Sequence, residues 1–237
     1  LACDHASNAL PVALGQLGLG SVELTQHIAW DIGAAQVTRL LAAQLDAPAV
    51  LAGYSRLVID CNRPPGDPTS IAGISDNIVI PGNQAVDDAA AELRLNEAFW
   101  PYHHAVTQAL AHRWRHDCGH APALIAIHSF TPTMNGFQRP WHIGVLWNRD
   151  PRLARPLLAQ FRANTELCVG DNQPYSGRDT GFTMDVHGSA AGLPHLEIEI
   201  RQDLIADEAG CVRWAAIVGA ALEAVLANDA IYQVAHY

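Results

Sequence analysis

The stretch "ALIAIHSFTP", residues 123–132, decides the architecture. Apolar and partly branched as far as Ile127, it has the composition of a strand buried on both faces, and it breaks off at His128, Ser129 and a proline-bracketed turn. A strand of this kind sits in the middle of a covered sheet, and its carboxyl end is where polar side chains collect. Working outward, "PAVLAGYS" (48–55), "RLVIDCN" (56–62), "HIGVLWN" (142–148) and "HLEIEIR" (195–201) read as further strands. "VELTQHIAWDIGAAQVTRLLAAQLDA" (22–47) places Ile28, Ile32, Ala35, Val37, Leu40 and Leu41 at helical spacing and reads as one long helix. "EAFWPYHHAVTQALAHRWRHDC" (97–118) and "CVRWAAIVGAALEAVLAND" (211–229) read as two more. Strands alternating with helices imply an α/β fold, a mostly parallel mixed sheet covered by helices on both faces, in a single domain over residues 1–237.

The totals narrow the partners. A chain of 237 residues that is 49% hydrophobic suits one domain with a sizeable core. Its 14 basic against 24 acidic residues, a formal charge of -10, exclude a field that gathers nucleic acid or anionic lipid. No apolar run approaches the ~20 residues that cross a bilayer, and "LACDHAS" lacks the basic and apolar regions of a signal peptide. The chain therefore reads as soluble and cytoplasmic, with no membrane partner. Cys3, Cys61, Cys118, Cys168 and Cys211 are odd in number, widely spaced and form no C-x-x-C pair, so they read mostly as buried thiols. The segment "NRPPGDPTSIAGISDNIVIPGNQAVDD" (62–88) is too polar and broken for regular structure and reads as an insertion or a functional loop, of which 63–83 is a candidate lid.

In open α/β sheets ligands bind beyond the carboxyl ends of the strands. At such positions stand His5, Arg56, Asn62, Arg63, His128 and the alternating "HLEIEIR", which turns Leu196, Ile198 and Ile200 to one face and Glu197, Glu199 and Arg201 to the other. His5 and His128 can cap their strands, or they can share a divalent metal, most simply zinc with three protein ligands and an open position. The third ligand is sought in His27 and Asp31, four residues apart on the expected helix. Arginine forks at Arg56 and Arg63 suit a substrate carboxylate, with an Arg63 to Asp60 ion pair as the structural alternative. Glu199 is the natural general base, while one of Glu197 and Glu199 pairs with Arg201. His103, His104 and His142 stand at element boundaries beside aromatics, as substrate contacts or hydrogen-bond donors behind the site, whereas His112, His116 and His120 read as a polar helix face. No P-loop, G-x-G-x-x-G or G-x-S-x-G motif is present, which removes most of the weight from nucleotide binding and serine hydrolysis.

In order along the chain, "CDHASNALP", "HIAWDIGA", "YSRLVIDCNRP", "IPGN", "PYH", "IHSFTP", "RPWHIGVLW", "DNQPYS" and "LEIEIRQDL" resemble the N-formylglutamate amidohydrolase (N-formylglutamate deformylase) family, which is related in fold to zinc carboxypeptidases and aspartoacylase. The resemblance implies a zinc enzyme with His5 and His128 as ligands and Glu199 as the catalytic carboxylate. It further implies Asn62 and Arg63 on the substrate carboxylate and Arg56 on the scissile carbonyl. The carboxypeptidase pattern has a ligating glutamate three residues after the first histidine, where this chain has Asn8; that role moves to Asp31, with His27 as the alternative. The implied partner is a small acidic N-acyl amino acid, whose second negative charge needs a further cation such as Arg139 or Arg201. A peptidase of different specificity on the same scaffold and a silent metal-binding protein are the rival readings.

Overall fold

Alternation along two neighbouring strands organises the molecule. In the computed structural model, which describes residues 1–117, 119–179 and 181–237, β5 (Leu124–Phe130) pairs in parallel with β10 (His195–Arg201) along its whole length. These two form the centre of a six-stranded sheet with β1 (Ala2–Cys3), β2 (Val50–Leu51), β8 (Ile143–Leu146) and β9 (Val169–Asp171). The order is β2-β1-β5-β10-β8-β9. β2, β1, β5 and β10 run parallel, β8 is antiparallel to β10, and β9 is parallel to β8.

One face of this sheet carries Ile125, Ile127, Leu196, Ile198 and Ile200 and packs under α1 (Ala34–Gln44), α4 (Pro151–Ala163) and α6 (Glu208–Leu226) in the main core. The opposite face carries Leu124, Ala126 and His128 from β5 and Glu197 and Glu199 from β10, because side chains two apart on a strand share a face. Its smaller core is closed by Tyr102 and Val106 of α3 (Trp100–His116) and by Met184 of the short turn α5 (Phe182–Met184). Helices thus cover both faces, and the polar residues lie on the thinner side.

Several expected elements are rebuilt. The helix read over 22–47 is confined to α1, because Gly33 takes a left-handed φ of 80° and a Cβ there would stand 2.2 Å from the Ile205 carbonyl oxygen. Residues 26–33 form a loop instead, so the expected i, i+4 chelate between His27 and Asp31 does not exist. "RLVIDCN" is no strand. Its backbone is satisfied by turns and side chains, with Leu57 N donating to Ser55 Oγ, Asn62 N to Asp60 Oδ1, and Arg94 and Asn83 reaching the carbonyls of Val58 and Leu57. Its apolar run reflects burial of Leu57, Val58 and Ile59, which a short pattern cannot distinguish from a strand.

The segment read as irregular, 62–88, holds a hairpin of β3 (Ile74–Ser75) and β4 (Ile78–Val79), whose turn residues Asp76 and Asn77 both have positive φ (43° and 63°). A second small hairpin joins β6 (Thr133–Met134) to β7 (Phe137–Gln138). The helix expected over 97–118 begins earlier, as α2 (Asp88–Arg94) running through a π-helical turn, Leu95–Phe99, into α3. α4 was not foreseen, although Asp150 caps it by accepting from Arg152 N and Pro151 occupies its first turn. By length and apolar composition α6 is a helix that can cross a bilayer, contrary to the expectation of no such run; its apolarity is accounted for by burial of Trp214, Val218, Leu222 and Val225 in the main core. Cys3, Cys61 and Cys211 are buried free thiols and Cys168 is half-buried; Cys118 lies outside the described residues.

Candidate active site

His128 stands level with Glu199 in the β5–β10 register, and both project from the thinner face. His5 follows β1, the neighbour of β5 on the other side, and the rings of His5 and His128 meet edge to face with centroids 5.0 Å apart. The loop preceding α1 brings Asp31 between them, tied by Asp31 N donating to the His5 carbonyl and by Ser129 N donating to Asp31 Oδ2 at 3.2 Å. Asp31 Oδ2 lies 3.3 Å from His5 Nδ1 and 2.9 Å from His128 Nδ1. The far nitrogens find carboxylates of their own: His5 Nε2 is 2.7 Å from Asp60 Oδ1, and His128 Nε2 is 3.0 Å from Asp4 Oδ2. All of these side chains are buried.

Burial and Arg56 push the His5 imidazole towards its neutral form, but Asp60 and Asp31 outweigh them and its pKa rises. Burial likewise disfavours a charged His128, yet the hydrogen bonds it donates to Asp31 and Asp4 hold its pKa well above the ordinary value. Burial acts on the Asp31 and Asp60 carboxyls in the opposite sense, and the cations around them win: His5 and His128 at Asp31, Arg56 and His5 at Asp60. The cluster is thus a ring of buried anions that requires positive charge at its centre. Glu199 differs. Burial pushes its carboxyl up to about 8, with the negative Asp31 and Glu197 acting in the same direction against the opposing pull of His128, and its Oε2 is buried with no hydrogen-bond partner among the described residues.

One nitrogen from each histidine and a carboxylate oxygen of Asp31 lie within 4.8 Å of one another, a set that can hold a metal ion. The fit is supported from outside the three donors. Each histidine presents Nδ1 to the centre while Nε2 engages a carboxylate, the arrangement that fixes tautomer and ring orientation in metal sites. Two imidazoles and one carboxylate match the donor types zinc takes when one position is left open. His27 is not part of this set; its Nε2 lies 3.1 Å from Asp76 Oδ2, on the hairpin. Of the two candidates for third ligand, only Asp31 is brought to both histidines.

These groups form the floor of a cavity of about 380 Å³, whose wall includes Arg56, Asn62, Arg63, Ser75, Asp76 and Tyr175. Arg56 is gripped by Asp60, with Nη2 to Oδ2 at 2.6 Å and Nε to the same oxygen at 2.9 Å, and its Nη1 lies 3.7 Å from Asp31 Oδ1. The Asp60 ion pair weighed as the structural alternative for Arg63 belongs to Arg56 instead. Arg63 gives one hydrogen bond, Nη1 to the Asn62 carbonyl at 3.1 Å, and no carboxylate among the described residues lies within ion-pair distance of it. The Asn62 amide is committed on both sides, donating to Glu197 Oε1 at 3.2 Å and accepting from Thr183 N at 3.0 Å.

Three residues expected to touch substrate lie outside this wall. Arg139 stacks on Phe130 and Tyr175 and donates to the Tyr175 hydroxyl at 3.0 Å. Arg201 pairs with Asp203 and reaches the carbonyls of Arg139 and Trp141, so neither Glu197 nor Glu199 pairs with it. His142 accepts from Cys168 N at 2.9 Å. Asp4 and Tyr175 have no assigned role in the sequence, and Asp60 only that of an ion-pair partner for Arg63; the signals were that Asp4 precedes His5 directly and Asp60 stands two residues before Asn62.

The sequence profile of the family described as N-formylglutamate amidohydrolase matches residues 1–206. The chain belongs to the N-formylglutamate amidohydrolase family. Among solved structures it is similar to a gene product of Agrobacterium tumefaciens, with 36% identity, a TM-score of 0.89, and coverage of 95% of this chain and 89% of that one. An N-formylglutamate amidohydrolase from Ralstonia eutropha JMP134, 19% identical with a TM-score of 0.60 over 95% of this chain and 92% of that one, shares the fold. No curated protein matches the chain. Membership of an amidohydrolase family makes it a hydrolase of amide bonds.

Proposed function

We propose that the protein is a zinc-dependent deformylase that hydrolyses N-formyl-L-glutamate to formate and glutamate. The observation that carries this reading is the convergence of His5 Nδ1, His128 Nδ1 and the Asp31 carboxylate beside the orphaned Glu199 Oε2. Zinc held by His5, Asp31 and His128 would supply the Lewis acidity that polarises the scissile carbonyl and lowers the pKa of water. Glu199 takes a proton from the attacking water at Oε2 and returns it to the leaving nitrogen as the C–N bond breaks. Its depth in the cavity suits this work, since a carboxyl raised by burial accepts and gives back a proton near neutrality.

Arg56, anchored by Asp60, stands beside Asp31 where it can offset negative charge growing on the carbonyl oxygen. With the Asn62 amide engaged by Glu197 and Thr183, the substrate's α-carboxylate falls to Arg63, whose fork has no carboxylate partner among the described residues. The test is formate release from N-formylglutamate by protein carrying one equivalent of zinc, compared with N-formylaspartate and N-acetylglutamate. N-Formylglutamate is expected to be turned over fastest. Absence of formate with zinc and with every other divalent cation tried would sink the reading.

A further inference from the structure

Apart from the two histidines of the triad, the described wall of the cavity carries three groups able to bear positive charge: Arg56, Arg63 and His27. Arg56 is already bound by Asp60, and Arg63 offers one fork for one carboxylate. A substrate with two carboxylates needs a second receptor. His27 is the remaining group, and the structure shows it in a provisional contact. Its Nε2 is buried and makes no hydrogen bond of acceptable geometry with any described residue, yet it stands 3.1 Å from Asp76 Oδ2. The two side chains are 27% and 31% exposed, and a contact as open to solvent as this one contributes little.

Asp76 sits at the turn of the β3–β4 hairpin, and Ile74, Ser75 and Asp76 hang into the cavity. That hairpin pairs only with itself and takes no part in the six-stranded sheet, so its tip can shift without breaking the sheet ladder. His27 belongs to the same loop as Asp31, which links the receptor for a side chain to the loop that completes the triad. A substrate carboxylate entering this region meets the negative Asp76 unless it takes the place of that group on His27.

We infer that His27 is the specificity-determining residue that receives the substrate's side-chain carboxylate, and that Asp76 occupies this position until the substrate displaces it. The inference rests on the reading of the substrate as an N-acyl amino acid. It assigns the preference for an acidic side chain to an exchange: an anionic side chain can replace Asp76 on the imidazole, whereas a neutral isostere cannot.

The experiment is steady-state hydrolysis of N-formylglutamate and its neutral isostere N-formylglutamine by the zinc-loaded wild-type protein, His27→Gln and Asp76→Asn. His27→Gln is expected to reduce the preference for glutamate over glutamine about tenfold, carried by KM and not kcat, which corresponds to about 1.4 kcal/mol. Asp76→Asn, at an exposed turn where folding is not at stake, should lower KM for N-formylglutamate by a few-fold through loss of the competing carboxylate. Variants that shift both substrates equally, or neither, overturn the assignment. Where the wild type turns over neither compound, the hydrolase reading fails separately, and calorimetric titration of both compounds into wild type and variants decides the role of His27.

Discussion

Two buried histidine pairs show what separates a reactive cluster from a structural one. His103 and His187 stack with centroids 5.1 Å apart and share a hydrogen bond of 2.8 Å between Nδ1 and Nε2, with His103 Nε2 donating to the Cys61 carbonyl at 2.9 Å. His5 and His128 are more deeply placed in the fold, and three aspartates surround them. Burial lowers the pKa of both members of the first pair, His187 to about 4, whereas the aspartates raise both members of the second against the same penalty. Residue type is the same in the two pairs, and the pair with raised pKa values is the more deeply buried, so burial alone would have lowered them further. The surrounding carboxylates make the difference, because they call for positive charge at the place where the two imidazoles converge.

The largest expected effect tests the reactive pair at its neighbour. Glu199→Gln should reduce turnover about 10³-fold while leaving metal content unchanged. It should not lower the melting temperature, since the buried carboxylate it replaces has an oxygen without a partner. Retained activity would move the base to another carboxylate, Glu197 first. A smaller effect should follow from the aspartates behind the ligands. Asp60→Asn, which weakens the grip on His5 Nε2, is expected to reduce zinc affinity roughly tenfold in competition with a chromophoric chelator, while His103→Gln should leave that affinity where it is. Equal losses in the two variants would erase the contrast between the pairs.

The smallest effect concerns pH and the structural pair. A His187 lowered to about 4 in the folded protein, against an ordinary 6.5, binds no proton where the unfolded chain does. Its contribution to stability is therefore complete above about pH 6.5 and is lost as the pH falls towards 4. Urea unfolding between those limits should show stability declining with acidity, and His187→Gln should flatten that decline. An unchanged slope would mean that the ring is already charged in the native state.

Some of this was legible in the order of residues. The alternation of "HLEIEIR" placed Glu197 and Glu199 on one face, and the break in "ALIAIHSF" placed His128 at a strand end, because a two-residue period is a property of any extended chain. The long helix over 22–47 failed for a reason no spacing reveals: Gly33 is needed where the chain passes the Ile205 carbonyl, a contact 172 positions away in sequence (205 − 33). The strand over 56–62 failed because apolar residues signal burial before they signal a strand, and the partners of its backbone are side chains of Ser55, Asn83 and Arg94. Arg139, Arg201 and His142 were drawn towards the substrate by their chemistry alone, while their hydrogen bonds hold Tyr175, Asp203 and Cys168.

The sequence by itself determined the family, the α/β class and the two strands that carry His128 and Glu199, since local periodicity and motif order are written in neighbouring residues. Only the tertiary structure decided that Asp31 and not His27 meets both histidines, that Asp4 and Asp60 stand behind them, and that His27 faces the tip of a hairpin. Those assignments depend on loops brought together from distant parts of the chain, and a loop's direction is set by the backbone contacts it makes after folding.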